Sequence, residues 1–290
     1  MFWNREKIEV CREIPRNNAT PLEVLWISGD FSVNIDISNI FFAMIVKLYL
    51  KKVIKIKLGT SCTIEFNYDN VDAFSSNYKK VMEDYSLLKN QKEIFNEEIG
   101  FFYNELFKLT ESSKILMDEL KIEFDELGFL NLLKVVAYEN DGNITIKNLY
   151  QTLMRRDVES INDMGIETMM YFFSDLLPQV LFEKGYITEK NIKLLNATIQ
   201  TNTEKCNEES KLWKGFKKYL NKNIFDEIDN LSFSTILEYY PYAVIFNCHE
   251  KLLDYVIATC ENLTTAEMNI RDTLNGLNKE IQILDDMMFA

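Results

Sequence analysis

Lys51-Lys52-Val53-Ile54-Lys55-Ile56-Lys57 follows an apolar, helix-like run that ends at Leu50, and its reading decides the fold of the first part of the chain. Lysines alternate with β-branched residues, which is the period of a strand with one solvated face and one buried face. Gly59-Thr60-Ser61 supplies a turn and Thr63-Ile64-Glu65-Phe66 a returning strand. Upstream, Thr20-Pro21-Leu22-Glu23 is a helix start. Thr20 caps, Pro21 takes the first helical position, and Glu23 reaches back as in a capping box. That helix is expected to run through Val24, Leu25 and Trp26 and to stop near Gly29-Asp30. Asp36 then caps a second helix through Phe41, Phe42, Ile45, Leu48 and Tyr49. Helices followed by a two-stranded ribbon form the pattern of a winged helix.

The pattern returns after Leu127. Leu130, Leu133, Val136 and Ala137 mark one helix, Asn143-Ile144-Thr145-Ile146 leads into a short one, and a long helix is expected from about Met164 to Lys184. It ends Phe182-Glu183-Lys184-Gly185-Tyr186-Ile187, which parallels Leu50 to Ile56 in position and character. Between the repeats, residues 71–126 read as an acidic helical insert, either a solvated face or a docking surface for a basic partner. The polar stretch Thr201 to Ser210 reads as a linker, and Pro241 sets Tyr240 outside a helix that begins at Tyr242 and runs to about Asn262. The fold class expected is mainly α, with two winged-helix-like units at 1–70 and 127–205. The insert at 71–126, a helical region at 206–262 and a C-terminal amphipathic helix at 263–290 complete it. In that last helix Ile270, Leu274, Leu277, Ile281, Leu284 and Met288 are spaced as a heptad seam. The seam is too short to establish a coiled coil, so packing on the body and self-association both remain open.

Composition agrees with this class and removes several functions. The chain has 290 residues, 47% of them hydrophobic, with 9 Gly and 4 Pro, which favours long helices over a turn-rich barrel. Its formal charge is −13, opposite to that of a protein that lives by neutralising phosphates. Cys11, Cys62, Cys206, Cys248 and Cys260 are an odd set without CxxC spacing, which suits idle thiols in a reducing cytoplasm. No run approaches the ~18–20 apolar residues of a membrane span, and no signal peptide is legible, so any membrane association is expected to run through a partner.

Chemistry-bearing motifs are sparse. There is no GxxxxGK[ST] or GxGxxG phosphate cradle, so no nucleotide or other cofactor is expected. His249 is the single histidine, and Cys248 beside it cannot form a dyad, because adjacent helical side chains do not face each other. Glu139-Asn140-Asp141-Gly142 imitates a calcium loop, but Ala137 and Asn148 stand where its first and last ligands belong, so no metal is expected. Lys47, Lys51, Lys52, Lys55 and Lys57 form a basic cluster that could contact a nucleic acid or another partner. A second cluster, Lys211, Lys214, Lys217, Lys218 and Lys222, backs an apolar face of Leu212, Phe216, Tyr219 and Leu220, which amphipathic packing explains.

Lys211-Leu212-Trp213-Lys214-Gly215-Phe216-Lys217-Lys218-Tyr219-Leu220 and Tyr239-Tyr240-Pro241-Tyr242-Ala243-Val244 are the segments that read as a signature. The chain resembles, over roughly Pro15 to Ile257, the cytoplasmic region of a family of bacterial predicted membrane proteins, domain of unknown function two-two-zero-seven. There a Trp-x-Gly-Phe helix precedes a Leu-Pro-Tyr-Ala-Val helix, and a Thr-Pro-x-Glu helix opens the region. The family's extracytoplasmic domain and membrane spans have no counterpart here. The resemblance implies a structural part for Trp213, Gly215, Phe216, Tyr240, Pro241, Tyr242 and Ala243, and it carries no activity. The expectation is a cytoplasmic, non-enzymatic interaction or scaffold module whose partner is a protein, a membrane component or a second copy. The alternative is a DNA-binding transcriptional regulator using the lysine wing at 47–57.

Overall fold

A computed structural model describes residues 8–29, 37–67, 111–154, 177–192, 197–259 and 263–289. The fold is mostly helical with two small antiparallel sheets. Asp36, most of the 71–126 insert, and the expected helix before Leu177 lie outside the described residues.

Contacts divide the chain into two compact units, Met1–Val46 with Leu177–Arg271, and Lys47–Leu176 with Asp272–Ala290. The boundaries expected at 70, 126, 205 and 262 instead follow the order of the sequence. Sequence patterns show neighbours along the chain, whereas the contacts join segments far apart in it.

The first unit begins with an arm, Ile8 to Ala19, without helix or strand. It leads to α1 (Pro21–Ile27), whose capping box is complete: Thr20 Oγ1 accepts from the Glu23 N–H and Glu23 accepts from the Thr20 N–H. The helix is followed by Gly29 at φ +73°, a conformation in which glycine avoids the Cβ penalty. Helix α2 (Ile37–Leu50) is apolar on nearly every side, and Phe41 to Val46 are all buried. Of the 127–205 segment this unit holds α6 (Leu177–Glu183), which passes through Gly185 at φ +74° into the hairpin β4 (Ile187–Ile192) and β5 (Ala197–Asn202).

Thr203 then caps α7 (Glu204–Lys218). The expected linker at Thr201–Ser210 is therefore the end of β5 and the first turns of α7, because its one small apolar residue, Cys206, is fully buried. A polar stretch in a helix needs only one narrow buried line. The last turn of α7 widens into a π-turn at Tyr219–Asn223, and two short 3₁₀ turns follow.

Helix α8 (Phe233–Ile245) runs straight through Pro241 rather than starting after it. Proline there removes one backbone hydrogen bond, which normally costs about 3 kcal/mol. The surrounding Tyr239, Tyr240 and Tyr242 are all buried and offset that loss by packing. The helix breaks at Asn247, φ +53°, before α9 (His249–Thr259), so the single helix expected to Asn262 is two.

In the second unit β1 (Ile54–Lys57) pairs antiparallel with β2 (Thr63–Phe66), with Ile54 and Ile64 inward and Lys55 and Lys57 outward, as the alternation requires. Helix α3 (Glu111–Leu120), α4 (Phe124–Glu139), β3 (Ile144–Thr145) and α5 (Ile146–Met154) follow, with β3 paired to β2. The sheet order is β1-β2-β3. The imitation calcium loop is a helix-ending turn: the Gly142 N–H bonds the Ala137 carbonyl at 2.7 Å with Asp141 and Gly142 at positive φ.

Of the heptad seam in α10 (Thr265–Phe289), Leu274, Leu277 and Ile281 are buried within the chain itself, so packing on the body accounts for them. Glu280 on the same helix accepts from the Ser61 hydroxyl and, at 2.5 Å, from the Cys62 N–H, clamping α10 to the β1–β2 turn.

Trp213 is fully buried, 5.1 Å from the Tyr242 ring and 5.9 Å from Phe216. Trp213→Ala should cost ~3–5 kcal/mol of stability by urea unfolding. A loss under 1 kcal/mol, on the order of a surface change, would contradict a core role.

Candidate functional site

Among the described residues a dense polar cluster lies in the first unit, one that the sequence did not single out. Two carboxylates form its centre. Glu23, in the first turn of α1, has no exposed surface; its Oε2 accepts from Arg16 Nη2 at 2.7 Å and from the Thr20 N–H at 3.3 Å, and its Oε1 from Lys184 Nζ. Glu209, on α7, accepts from Arg16 Nε at 3.1 Å and Trp213 Nε1 at 3.0 Å on one oxygen, and from the Tyr186 hydroxyl at 2.5 Å on the other. Arg16 thus bridges both acids, and its guanidinium also lies 5.3 Å from the Tyr186 ring centroid. Two cations face two anions, so the cluster is balanced.

Its electrostatics follow from that pairing. Burial alone would lower the Arg16 pKa, but Glu23 and Glu209 outweigh it and hold it above its ordinary value. Burial would raise the Glu209 carboxyl, yet hydrogen bonds from Tyr186 and Trp213 and the Arg16 charge hold it below the usual range. Burial and the Glu209 hydrogen bond push the Tyr186 phenol up, so it remains protonated. Every carboxylate oxygen in the pair is occupied by a donor of the chain. The chemistry suited to such a cluster is clamping rather than proton transfer.

The clamp fastens the arm. The arm runs antiparallel to α7, with Lys218 Nζ donating to the Ile8 carbonyl at 3.4 Å, Gly215 beneath Glu9 and Cys11, and Arg16 at Glu209. A Cβ on Gly215 would stand 2.4 Å from the Glu9 carbonyl oxygen, so glycine is required by the arm's close approach. From α8, the Tyr239 hydroxyl donates to the Arg12 carbonyl at 3.1 Å and the Tyr242 hydroxyl to the Ala19 carbonyl at 2.8 Å.

The signature residues divide between two jobs. Trp213, Phe216 and Tyr242 form one aromatic cluster with Tyr239, while Tyr240 turns away to meet Phe42 at 6.1 Å and His249 at 6.2 Å. Pro241 and Ala243 are buried beside them. On α7 the inward line is Cys206, Trp213 and Phe216; Leu212, expected on that face, is 49% exposed. His249 and Cys248 are buried, and burial pushes the Cys248 thiol up to about 12, away from reactivity.

The five wing lysines are not one open surface. Lys51 pairs at 2.5 Å with the fully buried Glu126, and Lys57 at 2.6 Å with Glu65; Lys47 is half-buried. Lys52, at φ +59°, and Lys55 are exposed. In the same unit Lys134 is buried with its Nζ 6.0 Å from the Phe66 ring centroid, and burial lowers its pKa to about 7.

Among the described residues no cluster of His, Cys, Asp and Glu could hold a metal ion, and no helix is long and apolar enough to cross a membrane. No protein-family model, curated protein or solved structure matches the chain.

Glu23→Gln should destabilise the protein by ~3–5 kcal/mol, since it leaves Arg16 and Lys184 facing a neutral group in a buried site; chemical unfolding measures it. A second test concerns Lys134, whose folded pKa of about 7 lies below its ordinary 10.5. Between these values the unfolded chain binds the extra proton, so stability must rise with pH. Urea midpoints should increase from pH 7.0 to about pH 8.5, where unfolded thiols begin to ionise, and Lys134→Met should flatten that rise.

Proposed function

We propose that this chain is a non-enzymatic protein-interaction module of the cytoplasm, built on two winged-helix-like units. In the second unit the β1–β2 hairpin of the 1–70 segment pairs through β2 with β3 of the 127–205 segment, between α4 and α5, a sheet order that supports the reading with strands drawn from both segments. In the first, α6 leads through a glycine into the β4–β5 hairpin. The signature at Trp213–Leu220 and Tyr239–Val244 is part of the same proposal: read as a likeness to the cytoplasmic region of the membrane-protein family, it favours a membrane component as one kind of partner.

One observation carries the choice of a protein partner. Phe182, on the helix that precedes the second hairpin, is 51% exposed, and its exposed neighbours on that helix are Gln179 and Glu183. A DNA-reading helix presents donors and cations to bases and phosphates. An aromatic side chain beside an acid instead suits a protein surface, where aromatic anchors dominate affinity. The −13 charge and the carboxylates on Lys51 and Lys57 work against phosphate contact as well.

A photo-crosslinking phenylalanine analogue at position 182 should capture one defined protein in cells, and Phe182→Glu should abolish its co-purification. Duplex DNA should show no mobility shift at about 0.15 M salt, the physiological ionic strength. Tight, salt-sensitive DNA binding that vanishes when Lys52 and Lys55 become Glu would replace this function with a DNA-binding regulator.

A further inference from the structure

The way the arm is held identifies what its seat recognises. Three side chains of the body donate to arm carbonyls: Lys218 to Ile8, Tyr239 to Arg12 and Tyr242 to Ala19. A carbonyl is offered by every residue, so these contacts read backbone rather than sequence, along an arm that bends at Glu13 and Pro15 and turns at Asn17–Asn18. Gly215 adds to this, because its missing side chain lets the arm backbone lie against α7. The side chains Ile8, Glu9 and Val10 are exposed and contribute little. Ala19 is fully buried and Cys11, Ile14 and Pro15 half-buried, while the arm's one charged side chain held between acids is Arg16, set between the buried Glu23 and the half-buried Glu209. The arm also makes few bonds with itself; a turn from the Ala19 N–H to the Arg16 carbonyl is its one backbone hydrogen bond among those outside helices and strands.

We propose that the face formed by α7 and α8 is a peptide-binding site for a non-helical segment carrying an arginine, and that the chain's own arm is its resident, displaceable occupant. The partner is a protein that offers such a segment, its guanidinium forked between Glu23 and Glu209 and its backbone read by Tyr239, Tyr242 and Lys218. This rests on the interaction reading above and gives it a ligand class. One guanidinium serving two carboxylates at once, Nη2 on Glu23 and Nε on Glu209, is why arginine, not lysine, belongs in the pocket. The tethered arm competes at an effective concentration in the millimolar range, so an incoming segment binds well only when the arm is loosened or the segment is the better fit.

The protein itself permits the test. In Arg16→Ala, Glu23 keeps Lys184 and the Thr20 N–H, and Glu209 keeps Tyr186 and Trp213, so the seat stays formed while its occupant loses its anchor. The probe is a fluorescent peptide of residues 8–19, read by anisotropy. Expected is saturable binding to full-length Arg16→Ala, about 10-fold or more weaker binding to the wild-type chain because its arm competes, and a loss of about 30-fold or more when Arg16 of the peptide is Ala and Arg12 is kept. Adding Gly215→Val to Arg16→Ala should remove binding with circular dichroism unchanged, since the new side chain fills the space of the backbone.

Should Arg16→Ala fail to fold, Arg12→Ala serves instead, because it breaks only the surface pair with Glu227 that fastens the arm. No binding to a folded variant, or equal binding of the peptide with Arg16 replaced by Ala, overturns the proposal. A mass that doubles with concentration through exchange of arms also overturns it, in favour of a second copy as occupant. Peptide binding uses purified protein alone and the crosslink at Phe182 uses cells, so a failed peptide test with an intact crosslink removes this inference and leaves the interaction module standing.

Discussion

The buried carboxylate of Glu23 is the constraint on which the first unit depends. An ion with no exposed surface is tolerated only when its attraction to partners and its hydrogen bonds offset the loss of water. Glu23 meets that condition with groups from three places in the chain: Arg16 in the arm, Thr20 at the head of α1, and Lys184 just before the β4–β5 hairpin. Between them these places give both of its oxygens a donor. A residue that completes a helix cap thereby also fixes the entry of the arm and the exit of α6.

Glu209 extends the same logic to the signature helix. By binding Arg16, Tyr186 and Trp213 together it ties the arm, the hairpin and the aromatic cluster to α7. Acidification should therefore loosen this region. The folded pKa of Glu209 lies below its ordinary value, so the stability it contributes is complete above the unfolded pKa of about 4.3 and is lost as the pH falls through the folded value. The aromatic signature and the charge network are two sides of one structural device.

The second unit uses the same means more sparingly. Lys51, at the end of α2, is drawn onto the buried Glu126 of α4, and Glu280 closes α10 over the turn at Ser61 and Cys62. Both contacts use residues that look like ordinary surface charge in the sequence. This is why a row of lysines that reads as a basic wing is in part an anchoring row.

The sequence by itself determined the local elements: the capping box at Thr20–Glu23, the alternating strand at Val53–Lys57 with its return at Thr63, and the glycine exits at Gly29 and Gly185. Each is set by neighbours within a few residues, through caps, turn geometry or the 3.6- and 2-residue periods, so the pattern is visible in the chain. The tertiary structure decided the rest. It chose which helical line faces inward on α7, carried α8 through Pro241, paired β3 with β2, joined residues 1–46 to 177–271, and brought Arg16 to Glu209. These depend on packing and on charges far apart in sequence, whose free energy exists only once both partners have left water, and no periodicity records that.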